Sequence, residues 1–180
     1  RDVLGSRGLG DVYKRQTNVW TVYDGSSWVG ADADYIAYYL DPRNFLNEAD
    51  IFQFESLSFS KVQTRQGVSS ILKGTFMENM VEDSDGSELD YAQAFMDIGE
   101  ETGVSPYHLA SRVRQEKGLK GTSSLISGTY SGYEGYYNYF NVGAAGITST
   151  LVIKNGLAYA KKAGWNTRYA ALEGLSLIHI

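Results

Sequence analysis

The chain has 180 residues, 43% hydrophobic and 21% charged, which is enough for one domain with a real core and short for two. Its net charge of −5 argues against a nucleic-acid partner, since phosphate contacts need clustered Lys and Arg. No stretch approaches the run of about 18 apolar residues that a membrane span requires, and the lack of cysteine rules out disulfides and Cys-ligated metals.

Residues 1–16 (RDVLGSRGLGDVYKRQ) show neither helical nor strand periodicity. They resemble a translated leader foreign to the domain, and the closing LSLIHI at 175–180 has the same look. Neither stretch offers the apolar core of a signal peptide. The expected domain therefore runs over 17–174. Val19 to Tyr23 alternates like a short strand. Asp32 or Asp34 can cap a helix through Tyr39, which should stop near Asp41-Pro42 because the residue before proline avoids helical geometry. Phe45, Leu46, Ile51, Phe52, Phe54, Leu57 and Phe59 then crowd together and predict core, with Glu48 and Glu55 as surface or capping carboxylates.

Thr64 to Met80 predicts a helix around Val68 to Leu72, interrupted near Gly74 and followed by a second piece. EDSDGSELD, from Glu82 to Asp90, lacks the full calcium-loop ligand pattern and reads as a solvated inter-helix loop. Leu89, Ala92, Phe95, Met96 and Gly99 recur at helical spacing and predict an amphipathic helix to Thr102. The next helix is the best signposted. Ser105 is a good N-cap, Pro106 suits the first helical position, and Gly118 is a natural stop. Leu109, Ala110 and Val113 give it a buried stripe, and Glu116 falls at the border of that stripe in the last turn. A glycine-punctuated loop follows, with five tyrosines from Tyr130 to Tyr139. Tyrosine offers a flat apolar face with a polar tip, which suits sugars and half-buried positions alike. A helix from about Asn155 to Gly164 and a last one over Arg168 to Glu173, capped by Thr167, complete a mainly helical chain.

Glu116 draws attention because cleaving a glycosidic bond requires a carboxylic acid that delivers a proton to the departing oxygen. The negative end of a helix and a tyrosine-rich wall would favour the protonated form, whereas Arg112, Arg114 and Lys117 would favour the ionised one. Spacing leaves the balance open. A surface role in the last helical turn is the plain alternative. The two histidines, His108 and His179, are too few for a zinc site, and no residue set calls for a metal or cofactor.

SRVRQEKG, followed by SGTYSGYEGYYNYFNVGA and NGLAYAKKAGW, resembles the glucosaminidase family of bacterial autolysins, glycoside hydrolase family 73, and within it the clostridial type. The likeness runs from about Val29 to Gly174 and includes the DPRNFLNEADIFQFE and GVSSILKGTFM segments. It implies a lysozyme-like, mainly α fold with a small extended or β lobe beside a sugar-binding cleft. It also implies hydrolysis of the β-1,4 bond between N-acetylglucosamine and N-acetylmuramic acid in peptidoglycan, by a secreted or wall-associated enzyme acting on glycan strands, with the oligomeric state left open. Carried over by residue, Glu116 matches the general acid. Tyr137, Asn138, Tyr139 and Phe140 match the motif lining the sugar cleft, with Tyr130 and Tyr136 beside them. Glu134 is the local candidate for the second carboxylate, unless the substrate's own N-acetyl group assists. Family chains continue beyond the ALEG position, so the resemblance also implies a domain shortened at its C-terminal end. A lytic transglycosylase and a non-catalytic wall-binding module are the competing readings.

Overall fold

Capping side chains mark where the helices of this chain begin. The computed structural model describes residues 13–14, 19–20 and 31–176, which form two compact units, residues 1–55 and residues 56–180. In the first unit, strand β1 (Tyr13–Lys14) pairs antiparallel with β2 (Val19–Trp20), Tyr13 facing Trp20. The strand read from Val19 is thus real but short, and its partner lies in the stretch read as unpatterned. Helix α1 (Ala33–Leu40) starts on Asp32, whose carboxylate accepts from the Tyr35 amide at 2.9 Å. Asp41 ends it, as the following proline dictates.

The expected aromatic core downstream is corrected. Phe52 is 68% exposed, Leu46 and Leu57 each 60%, and Phe54 48%, while Phe45 is half-buried and stacks on Tyr39 at 5.7 Å. The segment forms two one-turn 3-10 helices, Pro42–Phe45 and Asp50–Phe54. Turns that short distribute side chains all round and give no continuous face to bury.

The second unit is built on α3 (Tyr91–Thr102), which packs against α2 (Arg65–Leu72), α4 (Pro106–Lys117) and α6 (Arg168–Ser176). Phe95 and Ile98 of α3, Val68 and Leu72 of α2, Ala110 and Val113 of α4, and Ala171 and Leu172 of α6 are all essentially inaccessible. Asp90 caps α3 and Gly103 ends it in the left-handed conformation, φ 75°. Ser105 both caps α4 and accepts from Gln63 Nε2 at 2.8 Å in the interior. Gly99 allows the α3–α4 corner to close, since a Cβ there would stand 2.8 Å from the Val104 carbonyl oxygen. The predicted second piece after Gly74 is a set of turns rather than a helix. Thr75 folds it back, its hydroxyl donating to the Leu72 carbonyl at 2.6 Å and accepting from the Met77 amide at 3.1 Å.

The acidic loop is also corrected. Strands β3 (Val81–Glu82) and β4 (Glu88–Leu89) make an antiparallel hairpin, and Asp83 at its turn is 5% exposed. Its carboxylate accepts from the Arg168 amide at 2.7 Å and the Tyr169 amide at 3.2 Å, so it caps α6 from across the unit. Helix α5 (Ser149–Ala163) begins six residues earlier than Asn155, on Thr148, and closes at Gly164 as expected. The fold is mainly α with small antiparallel pairs. No helix among the described residues is long and apolar enough to cross a membrane.

Candidate active site

Leu109, Ala110, Val113 and Lys117 form the buried stripe of α4, which places Glu116 one position to its side. The Glu116 side chain is 25% exposed. Its Oε1 accepts from Arg112 Nη2 at 3.0 Å, one turn earlier, and its Oε2 accepts from Asn141 Nδ2 at 2.9 Å. Arg112 also donates to Gln115 Oε1 at 2.9 Å. An i,i+4 ion pair with this much exposure contributes about 0.5 kcal/mol or less. One hydrogen bond to a bound sugar, worth about 1 kcal/mol, matches it. Arg112 is therefore an exchangeable partner for Oε1 rather than a lock.

Lys117 lies on the core side and is 7% exposed. Burial pushes its ammonium down to about 8, although Glu116 nearby opposes the shift. Its Nζ donates to Asn141 Oδ1 at 2.5 Å, so Asn141 bridges Lys117 and Glu116. Asn141 itself has φ 60°, a left-handed backbone that asparagine tolerates better than most residues. Neither Asn141 nor Lys117 stands out in the sequence. The available signal was an asparagine just before a glycine-alanine turn and a lysine eight residues after Leu109 on a buried stripe.

The tyrosine loop divides into an inner and an outer set. Tyr137, Asn138 and Tyr139 are 4%, 0% and 0% exposed, so the expectation that they line a sugar cleft is corrected to a packing role. Asn138 donates to the Val142 and Gly156 carbonyls at 2.8 and 2.9 Å and accepts from the Val142 amide at 3.1 Å. This staples the turn carrying Asn141 to α5. Tyr139 shares a hydrogen bond with Tyr91 at 2.8 Å, and burial raises both phenols. Arg168 lies 4.5 Å over the Tyr137 ring and donates to the Ile126 carbonyl at 3.2 Å. The backbone follows suit, with the Tyr137 amide donating to the Trp165 carbonyl and the Asn138 amide to the Leu125 carbonyl. Phe140 is half-buried against the core.

The outer set consists of Tyr130, Tyr133 and Tyr136, all half-buried, with Tyr136 also packed against the core. The rings of Tyr130 and Tyr133 stand 6.4 Å apart, and Lys161 of α5 lies 5.9 Å from the Tyr133 ring and 5.7 Å from that of Tyr136. Glu134 is exposed at the tip of the same loop. Its carboxylate is held below the usual range by its own amide and that of Gly132, the latter donating at 3.0 and 3.1 Å, with Lys161 adding a further pull.

The fold that presents these groups is similar to that of solved glucosaminidase and autolysin structures. Glucosaminidase B of S. aureus superposes with a TM-score of 0.66 at 25% identity, over 97% of this chain and 62% of that one. A crystal structure of a major bifunctional autolysin gives a TM-score of 0.64 at 23% identity, over 96% and 63%. S. aureus autolysin E gives 0.52 at 24% identity, over 87% and 60%. The chain thus spans less than two thirds of the length of each of these structures. No family model and no curated protein matches the sequence.

Proposed function

We propose that this chain is a peptidoglycan hydrolase of the glucosaminidase type, with Glu116 as the general acid. The observation that carries the reading is the Glu116 carboxyl, three-quarters covered at the end of α4 and held by Asn141 of the turn that follows the tyrosine loop, in a fold shared with glucosaminidases. Its Oε1 is reachable once Arg112 lets go. The protonated acid gives its proton to the glycosidic oxygen as the C–O bond breaks, and water supplies the hydroxyl to the sugar left behind. Glu134, held ionised on the loop, is the proposed base that takes the second proton from that water. Tyr130, Tyr133 and Tyr136 offer faces on which sugar rings stack. The bond cleaved is the β-1,4 link that leaves N-acetylglucosamine at the new reducing end.

The test is Glu116→Gln assayed on purified cell walls. Release of reducing ends is lost while wall binding persists; unchanged turnover rejects the assignment. Mass spectrometry of the products gives free reducing glucosamine ends, whereas 1,6-anhydro-muramic ends would make the chain a lytic transglycosylase. Binding without turnover in the parent protein would make it a wall-binding module.

A further inference from the structure

We infer that Lys117 and Asn141 form a positioning pair for Glu116, with Lys117 acting on the carboxylate through Asn141. The inference rests on Glu116 being the proton donor proposed above.

Lys117 occupies a position where an apolar side chain of the same length would fill the stripe without desolvating a charge. What the ammonium adds is a donor with no acceptor capacity. It therefore compels the Asn141 amide to turn Oδ1 inward, at 2.5 Å. The Nδ2 group must then face outward, where it donates to Glu116 Oε2 at 2.9 Å. Neither end of the asparagine can be reversed without setting donor against donor and acceptor against acceptor. The backbone is fixed as well. Asn141 holds φ 60°, its carbonyl accepts from the Ala144 amide at 3.0 Å, and Asn138 anchors the turn from beneath.

The two carboxyl oxygens thus have different standing. Oε2 is tied to a buried cation through one rigid amide, while Oε1 meets the Arg112 guanidinium, whose side chain is 38% exposed. The geometry assigns Oε1 as the oxygen that carries and delivers the proton, and Oε2 as the hinge that aims it. Lys117 and Asn141 touch neither sugar nor reacting atoms in this scheme; they set the direction of the carboxyl plane.

Asn141→Gly isolates the effect, because glycine accepts the same backbone and removes only the amide. The expected result is a melting temperature lower by several degrees, because the buried Lys117 ammonium loses its acceptor, with an unchanged KM for soluble glycan fragments and, assayed well below that temperature, a kcat lower by on the order of 10-fold to 100-fold. Lys117→Met gives a loss of the same size, and the double variant is no worse than either single one, since both break one connection. Full kcat in Asn141→Gly overturns the inference. So does a double variant whose loss is the product of the two single losses. Should Lys117→Met fail to fold, Asn141→Gly decides alone. Glu116→Gln in the same assay separates the levels: if it is dead while Asn141→Gly is fully active, only the positioning role fails, and if it is active the proton-donor reading fails first.

Discussion

Replacing Asp83 by alanine removes a helix cap that comes from a distant part of the chain, and the cost can be worked from its contacts. The carboxylate accepts from the amides of Ser84, Arg168 and Tyr169 at 2.8, 2.7 and 3.2 Å, in a site 5% exposed. Loss of an N-cap costs about 0.5–2 kcal/mol, and hydrogen bonds to a charged group about 1.5–3 kcal/mol each. Thr167 Oγ1 keeps its own bond to the Ala170 amide at 3.0 Å, so the helix start is not stripped bare. A net loss of about 3 kcal/mol is the resulting expectation. For a chain of this size that lowers the melting temperature by about 6–12 °C. Differential scanning calorimetry with a parallel urea titration measures it. Asp85→Ala, at an exposed carboxylate that accepts locally from Ser87, is the control and melts with the parent. If Asp83→Ala melts within about 2 °C of the parent, the hairpin does not cap α6 in solution and the reasoning fails.

Asn138→Ala deletes three hydrogen bonds, one buried and two partly buried, and costs up to about 3 kcal/mol, with reducing-end release falling alongside because the Asn141 turn comes loose; a variant as stable as the parent contradicts the staple. Glu134→Gln lowers turnover by about 100-fold or more if that carboxylate activates water, and leaves it unaltered if the substrate's N-acetyl group does so, which initial rates on purified walls distinguish. Lys117 has its ammonium lowered to about 8 from a reference of 10.5. Between those values the unfolded chain binds more protons there than the folded one, so this residue contributes stability that rises with pH from 8 to 10.5. Urea midpoints of the parent minus those of Lys117→Met therefore climb across that window, and a flat difference refutes the buried cation.

Where a structural signal was local, the sequence carried it. The Ser105-Pro106 start and Gly118 stop of α4, the Asp32 cap of α1 and the Gly164 end of α5 are each decided within a turn by a side chain or a permissive backbone. The start of α5 was missed because Thr148 leads into a β-branched stretch of low helix propensity, and packing overrides that preference. The aromatic run from Phe45 to Phe59 shows that apolar density does not make a core without an element long enough to carry it. The tyrosine motif failed differently. Its residue types are legible, but which rings face inward depends on Tyr91, Trp165 and Arg168, far away in the chain. Glu116 could be placed from helical spacing; Asn141, which holds it, could not, because the contact spans 25 positions and depends on a left-handed turn.

The bond between Asp83 and Arg168 joins residues 85 apart. During synthesis the hairpin must wait, with its carboxylate still in water, until Arg168 has left the ribosome. The loop bearing Asn141 is likewise clasped only once Trp165 arrives. The helix that carries Glu116 can thus form well before the turn that holds its carboxyl is fastened in place.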